Sequence, residues 1–110
     1  MISWDDFQKI DMRVGTIVEV ADFPNARKPA YQLKIDFGPE IGFRNSSAQI
    51  TNLYDKETLT GRQVIAVVNF PKKQIANFFS ECLVMGVLGE GTDVILLAPE
   101  RKVQNGWKIG

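Results

Sequence analysis

Asn69-Phe70-Pro71-Lys72-Lys73-Gln74-Ile75-Ala76-Asn77-Phe78-Phe79-Ser80-Glu81-Cys82-Leu83-Val84-Met85-Gly86 is the stretch from which the rest of the chain is read. Ahead of it, Val64 to Val68 has the β-branched richness of a buried strand. At its far end Cys82 to Leu88 is again apolar and strand-like. Pro71 stops the first strand, because proline gives no hydrogen bond to a sheet ladder. Lys72 and Lys73 then stand beside Ile75, Phe78 and Phe79 in a segment too polar and too short to be core. A connector that carries cations and bare aromatics between two rigid strands reads as a binding element.

Outward from there, length and composition set bounds. A chain of 110 residues makes a single domain, residues 1–110, with one modest core. No apolar run approaches the roughly 20 residues that span a bilayer, so no membrane insertion is expected. Met1-Ile2-Ser3-Trp4-Asp5-Asp6 lacks the basic and apolar regions of a signal peptide. The single cysteine, Cys82, lies in an apolar strand, which suits a reducing, cytoplasmic setting. Histidine is absent, which removes the usual general base and the commonest metal ligand. No zinc site, cofactor motif or nucleophile–base spacing stands out, and an enzyme is not expected. With 13 basic and 13 acidic residues, any attraction to phosphate has to come from a local patch.

In chain order, Ser3 caps a short helix from Trp4 to Lys9, with Asp5 and Asp6 at the positive end of its dipole. Arg13 to Val20 reads as the first strand, with Gly15 suited to a bulge. Phe23 to Pro29 is a loop fenced by prolines and carrying Arg27 and Lys28. Tyr31, Leu33, Ile35 and Phe37 face one way on a second strand, and Gln32, Lys34 and Asp36 the other. Gly38-Pro39-Glu40 is a turn. The third strand runs from Ile41 to Gln49, a helical connection from Thr51 to Leu59 follows, and Gly61 closes it. After the opening stretch, Val94 to Ala98 is another strand, and Val103 to Ile109 holds a pairing around the Asn105-Gly106 turn. Five strands with a helical link between the third and fourth predict an all-β OB-fold, a five-stranded Greek-key barrel. An SH3-like barrel would give a similar list of strands.

Four blocks carry a family resemblance: Asp11 to Ile17, Leu33 to Gly38, Leu59 to Val64, and Ser80 to Gly86. In that order and spacing they resemble the tRNA-binding-domain family, whose members include appended domains of methionyl- and phenylalanyl-tRNA synthetases. The Ser3-Trp4-x-x-Phe7 opening, Phe23 to Tyr31, Asn45 to Gln49, Asn69-Phe70-Pro71 and Val94 to Glu100 resemble the family's small stand-alone export-related chaperones. That resemblance implies a homodimer that binds unfolded or exported preproteins without ATP, in cooperation with the Sec export machinery.

The residues allow such a groove. Ile75, Phe78, Phe79 and Phe70 can floor it, although Phe70 continues a strand and reads equally as core. Arg27, Lys28, Arg44, Lys72 and Lys73 can ring it, unless the lysines are plain solvated turn residues. Asn45, Ser46, Ser47 and Asn69 can hydrogen-bond an extended peptide, with Tyr31 and Pro71 in the same motifs. One of Phe78 and Phe79 is expected inside and the other outside. As a tRNA-binding module, the alternative, the chain would use Arg27, Lys28, Lys34, Arg44, Lys72, Lys73, Ser80 and Glu81. Ser80 and Glu81 can instead tie the connector to the barrel, and Asp11 can pair with Arg13. The apolar tail Val94-Ile95-Leu96-Leu97 exceeds what a small barrel can cover, so it is expected to pair with a second copy, as is the N-terminal helix.

Overall fold

Ser3 starts the first element of the computed structural model, which describes residues 1–110. Helix α1 (Trp4–Gln8) opens on a reciprocal capping box: Asp6 N donates to Ser3 Oγ at 3.1 Å, and Ser3 N to Asp6 Oδ2 at 3.0 Å. So short a helix does not hold in water alone. Asn69 ties its end to the body, donating from Nδ2 to Lys9 O (2.7 Å) and accepting at Oδ1 from Asp11 N (3.0 Å).

Then come β1 (Met12–Asp22), β2 (Tyr31–Asp36), the single turn α2 (Gly38–Ile41), β3 (Phe43–Ala48), α3 (Lys56–Leu59) and β4 (Gln63–Val67). The short strands β5 (Lys73–Ile75), β6 (Phe78–Ser80), β7 (Leu83–Val84), β8 (Gly86–Leu88) and β9 (Val94–Leu96) complete the chain. Five of them form one antiparallel sheet in the order β3-β2-β1-β4-β7. This sheet curls into the nearly closed barrel of an OB-like fold, as the order of elements predicts. Its ends meet between β3 and the Ser80–Cys82 segment. There Glu81 N donates to Asn45 O (2.7 Å), Asn45 N to Glu81 Oε1 (2.9 Å), Ser47 N to Ser80 Oγ (3.2 Å) and Ser46 Oγ to Cys82 O (3.2 Å).

The barrel is filled by the inward side of each strand. Ile17, Leu33, Ile35, Phe37, Leu59 and Val64 are fully buried, with Ala48, Ile50, Ala66, Val68 and Cys82 around them. Each large side chain so buried contributes about 1.5–3 kcal/mol.

Several boundaries differ from the sequence reading. The bulge in β1 falls between Ile17 and Glu19, not at Gly15. Gly15 is needed because a Cβ there would lie 2.6 Å from Ile35 Cγ2. The third strand starts at Phe43, because Pro39 sits in the first turn of α2 and Gly42 ends that turn. Only Lys56–Leu59 of the Thr51–Leu59 connection is helical, capped by Asp55. The run Cys82 to Leu88 changes partner at Met85: β7 stays on β4, while β8 leaves the barrel and pairs with β9. Gly86 permits that pairing, since a Cβ would meet Val94 Cγ1 at 2.5 Å. The Asn69–Ser80 connector contains a hairpin, β5–β6. The tail does not pair with itself around Asn105-Gly106. It runs along β1 where β2 has ended, through Gly106 N to Val14 O (2.7 Å), Val14 N to Trp107 O (3.0 Å) and Ile109 N to Met12 O (2.9 Å). Arg13 holds it there, donating from Nη1 to Gly106 O (3.0 Å) and from Nε to Asp11 Oδ1 (2.6 Å). The bond to Asp11 raises the Arg13 pKa.

Candidate functional site

Alternation along β5 and β6 sorts the hairpin's two faces. Lys73, Ile75, Phe78 and Ser80 share the face turned to the barrel, and Gln74 and Phe79 share the other. Phe78 is half-buried edge-on against Phe23, with ring centroids 5.4 Å apart. Phe79 is 51% exposed. Between this hairpin and the 25–30 loop opens a cavity of about 650 Å³. Asn25 to Lys28 and Ala30 form one bank, Lys73 to Ala76 the other, and Ser47 and Gln49 the floor. Phe78 also borders a neighbouring cavity of about 320 Å³ with Lys34, Asn45, Gln32 and Glu19.

The electrostatics of the larger groove are one-signed. Arg27, Lys28 and Lys73 line it, and no carboxylate does. None of the three is in an ion pair, and neither are Lys34, Arg44 and Lys72. A molecule with no net charge thus concentrates free cations along one concave edge. Ile75 gives that edge an aliphatic surface, and no aromatic ring lines it.

Other residues named from the sequence lie elsewhere. Arg44 turns to the inner side of β3 and donates to Val68 O at 2.9 Å. Ser46 is buried, and its hydroxyl, like Ser80 and Glu81, is spent on the seam that closes the barrel. Tyr31 packs on the core and donates its hydroxyl to Tyr54 O at 3.0 Å. The amide of Asn69 is committed to the N-terminal segment, and Pro71 and Lys72 are exposed outside both cavities. Phe70 is 56% exposed, so it is not core. Lys34 Nζ sits 4.9 Å over the ring of exposed Phe43. Cys82 is sealed in, and burial pushes its thiol pKa up to about 12, which leaves it inert as a nucleophile. Sequence reasoning names Gln49 only as the end of the Asn45–Gln49 motif and does not single out Gln74. Gln49 continues the outward set Phe43, Asn45, Ser47, so the period-2 signal for it was present.

A family model described as "Putative tRNA binding domain" matches residues 12–108. The crystal structure of a CsaA chaperone protein from Picrophilus torridus is 58% identical, with TM-score 0.94 and full coverage of both chains. That of chaperone CsaA from Bacillus anthracis is 49% identical, with TM-score 0.95, covering 100% of this chain and 99% of the other. The methionine–tRNA ligase of Pyrococcus abyssi is 37% identical over 108 residues, 98% of this chain. The chain spans only 14% of that ligase's length.

Proposed function

Because the chain belongs to the tRNA-binding domain family, we propose that it is a non-catalytic binding module of the CsaA kind. It holds unfolded or exported preproteins without ATP, as a cytoplasmic homodimer working with the Sec export machinery. The observation that carries this reading is the groove between the 25–30 loop and the β5–β6 hairpin, ringed by unpaired Arg27, Lys28 and Lys73 and surfaced by Ile75. Such a site attracts acidic and apolar chain segments while its charge keeps the protein itself soluble. The CsaA structures support it through their likeness over the whole chain. The dimer is supported by apolar side chains left exposed: Leu83 on β7, Val87 and Leu88 on β8, and Ile95, the register partner of Val87, on β9. Two grooves in one dimer would grip two segments of one client, raising avidity without new contacts.

A second reading, tRNA binding, is favoured by the family match, by the ligase relatives, and by Lys34 over exposed Phe43, a ring able to stack on a base. Competition between an unfolded preprotein and tRNA at two salt concentrations separates the two. Phosphate contacts make tRNA affinity fall by orders of magnitude over a roughly fourfold rise in salt. Preprotein binding falls far less and is lost in Ile75→Asp. Preprotein binding that is unaffected by Ile75→Asp, or sedimentation of a stable monomer at micromolar concentration, refutes the corresponding half of the proposal.

A further inference from the structure

The β5–β6 hairpin has one edge against the barrel and one edge free. β6 lies beside β3, where Ser47 N donates to Ser80 Oγ, while β5 pairs with β6 alone. The two-residue turn Ala76-Asn77 makes Ile75 and Phe78 a mutually hydrogen-bonded pair. Alternation then makes Gln74 and Phe79 a non-bonded pair, so the N–H and C=O of Gln74 point away from β6. No backbone hydrogen bond outside the ladder reaches Lys72 to Ala76. Gln74 is exposed and borders the same groove as Arg27, Lys28 and Lys73. A strand edge left unpaired is a template for another strand.

We propose that the groove takes its ligand as an added strand: an extended, acidic peptide segment that pairs with β5 through the main chain of Gln74. Its carboxylates, on the face that Lys73 and Ile75 share, reach Arg27, Lys28 and Lys73, and its alternate apolar side chains turn to the other face, beside Gln74 and exposed Phe79. Main-chain pairing gives affinity that does not depend on the client's sequence, and the cations select for charge. A peptide, not a nucleic acid, is the occupant, because only a peptide presents N–H donors and C=O acceptors at strand spacing. No ring in this groove stacks a base. This inference rests on the peptide-holding reading above and specifies how that site works.

The probe is a synthetic peptide of about ten residues alternating aspartate and leucine, so that one face is acidic. Its twin carries ester linkages in place of the central amides, which removes N–H donors and keeps every side chain. The proline variant Gln74→Pro removes the outward N–H without touching the ladder to β6, a position where an edge strand tolerates proline. Gln74→Ala removes only the side chain's bond to Ala76 O. Strand addition gives a loss of about fivefold or more for the ester twin on the wild-type protein and for Gln74→Pro, with Gln74→Ala within about twofold. Equal binding of peptide and ester twin overturns strand addition and leaves the peptide-holding groove standing. A peptide that does not bind at all, while a single-stranded RNA oligonucleotide does, overturns both. If Gln74→Pro does not fold, the ester comparison on the wild-type protein decides alone.

Discussion

Replacing Gly106 by alanine is expected to unfasten the C-terminal tail from the barrel. Gly106 has φ +92°, and a Cβ there would lie 2.5 Å from Phe37 O, a backbone atom that cannot swing aside. The tail must retreat, stretching Gly106 N to Val14 O (2.7 Å), Val14 N to Trp107 O (3.0 Å) and Arg13 Nη1 to Gly106 O (3.0 Å). At about 1 kcal/mol for each bond, the retreat costs roughly 2–3 kcal/mol. The left-handed backbone adds about 1–2 kcal/mol. Gly61 isolates the first term, because it has φ +89° and nothing within 4 Å of its would-be Cβ. Gly61→Ala therefore bears the backbone strain alone. In urea denaturation, the Gly106→Ala midpoint should fall about 1 M or more below that of Gly61→Ala, for a slope of about 1–3 kcal/mol per M. Amide exchange at Val14 should speed up in the first variant only. Equal midpoints for the two would refute the backbone-on-backbone crossing.

Two further outcomes follow from local chemistry. Ala76 sits at φ +54°, so Ala76→Gly relieves strain at the hairpin tip and offsets glycine's entropy. Exchange of the Ile75 amide should slow about two- to fivefold, and unchanged exchange would show that the tip is unstrained. Cys82 is held as a neutral thiol with its pKa raised by burial from 9.0 to about 12. The unfolded chain releases that proton first, so this contribution is intact below about pH 9 and is lost progressively as pH rises toward 12. The slope is at most about 1.4 kcal/mol per pH unit. Cys82→Ala should remove that part of the alkaline decline, and parallel curves for variant and wild type would contradict the burial assignment.

The barrel strands were legible because their side chains alternate or run apolar: Tyr31, Leu33, Ile35 and Phe37 all point inward as the pattern requires. The β5–β6 hairpin was not legible, for two physical reasons. Three-residue strands are too short to show a period, and Ala76-Asn77 lacks the glycine that marks a tight hairpin turn. Arg27, Lys28, Lys73 and Ile75 were read from residue type, and the fold brings them to one groove. Arg44, Ser46 and Tyr31 look the same in sequence, but a half-turn of the strand sends them inward, where hydrogen bonds employ them. Nothing local told the tail to choose β1 over itself. That preference arises from the edge of β1 left open before Thr16, because β2 ends at Thr16's partner, Asp36.

The join that shuts the barrel carries a different kind of information from its ladders. Ladder bonds are made by groups every residue possesses, so point mutation barely edits them. The join between β3 and Ser80–Cys82 has one main-chain bond, Glu81 N to Asn45 O, and otherwise depends on the hydroxyls of Ser46 and Ser80 and the carboxylate of Glu81. A single codon change at Ser80 or Glu81 can therefore reset how far the hairpin stands from the wall, leaving the core untouched. Descendants of this chain can retune the aperture for thicker or thinner guests without redesigning the scaffold.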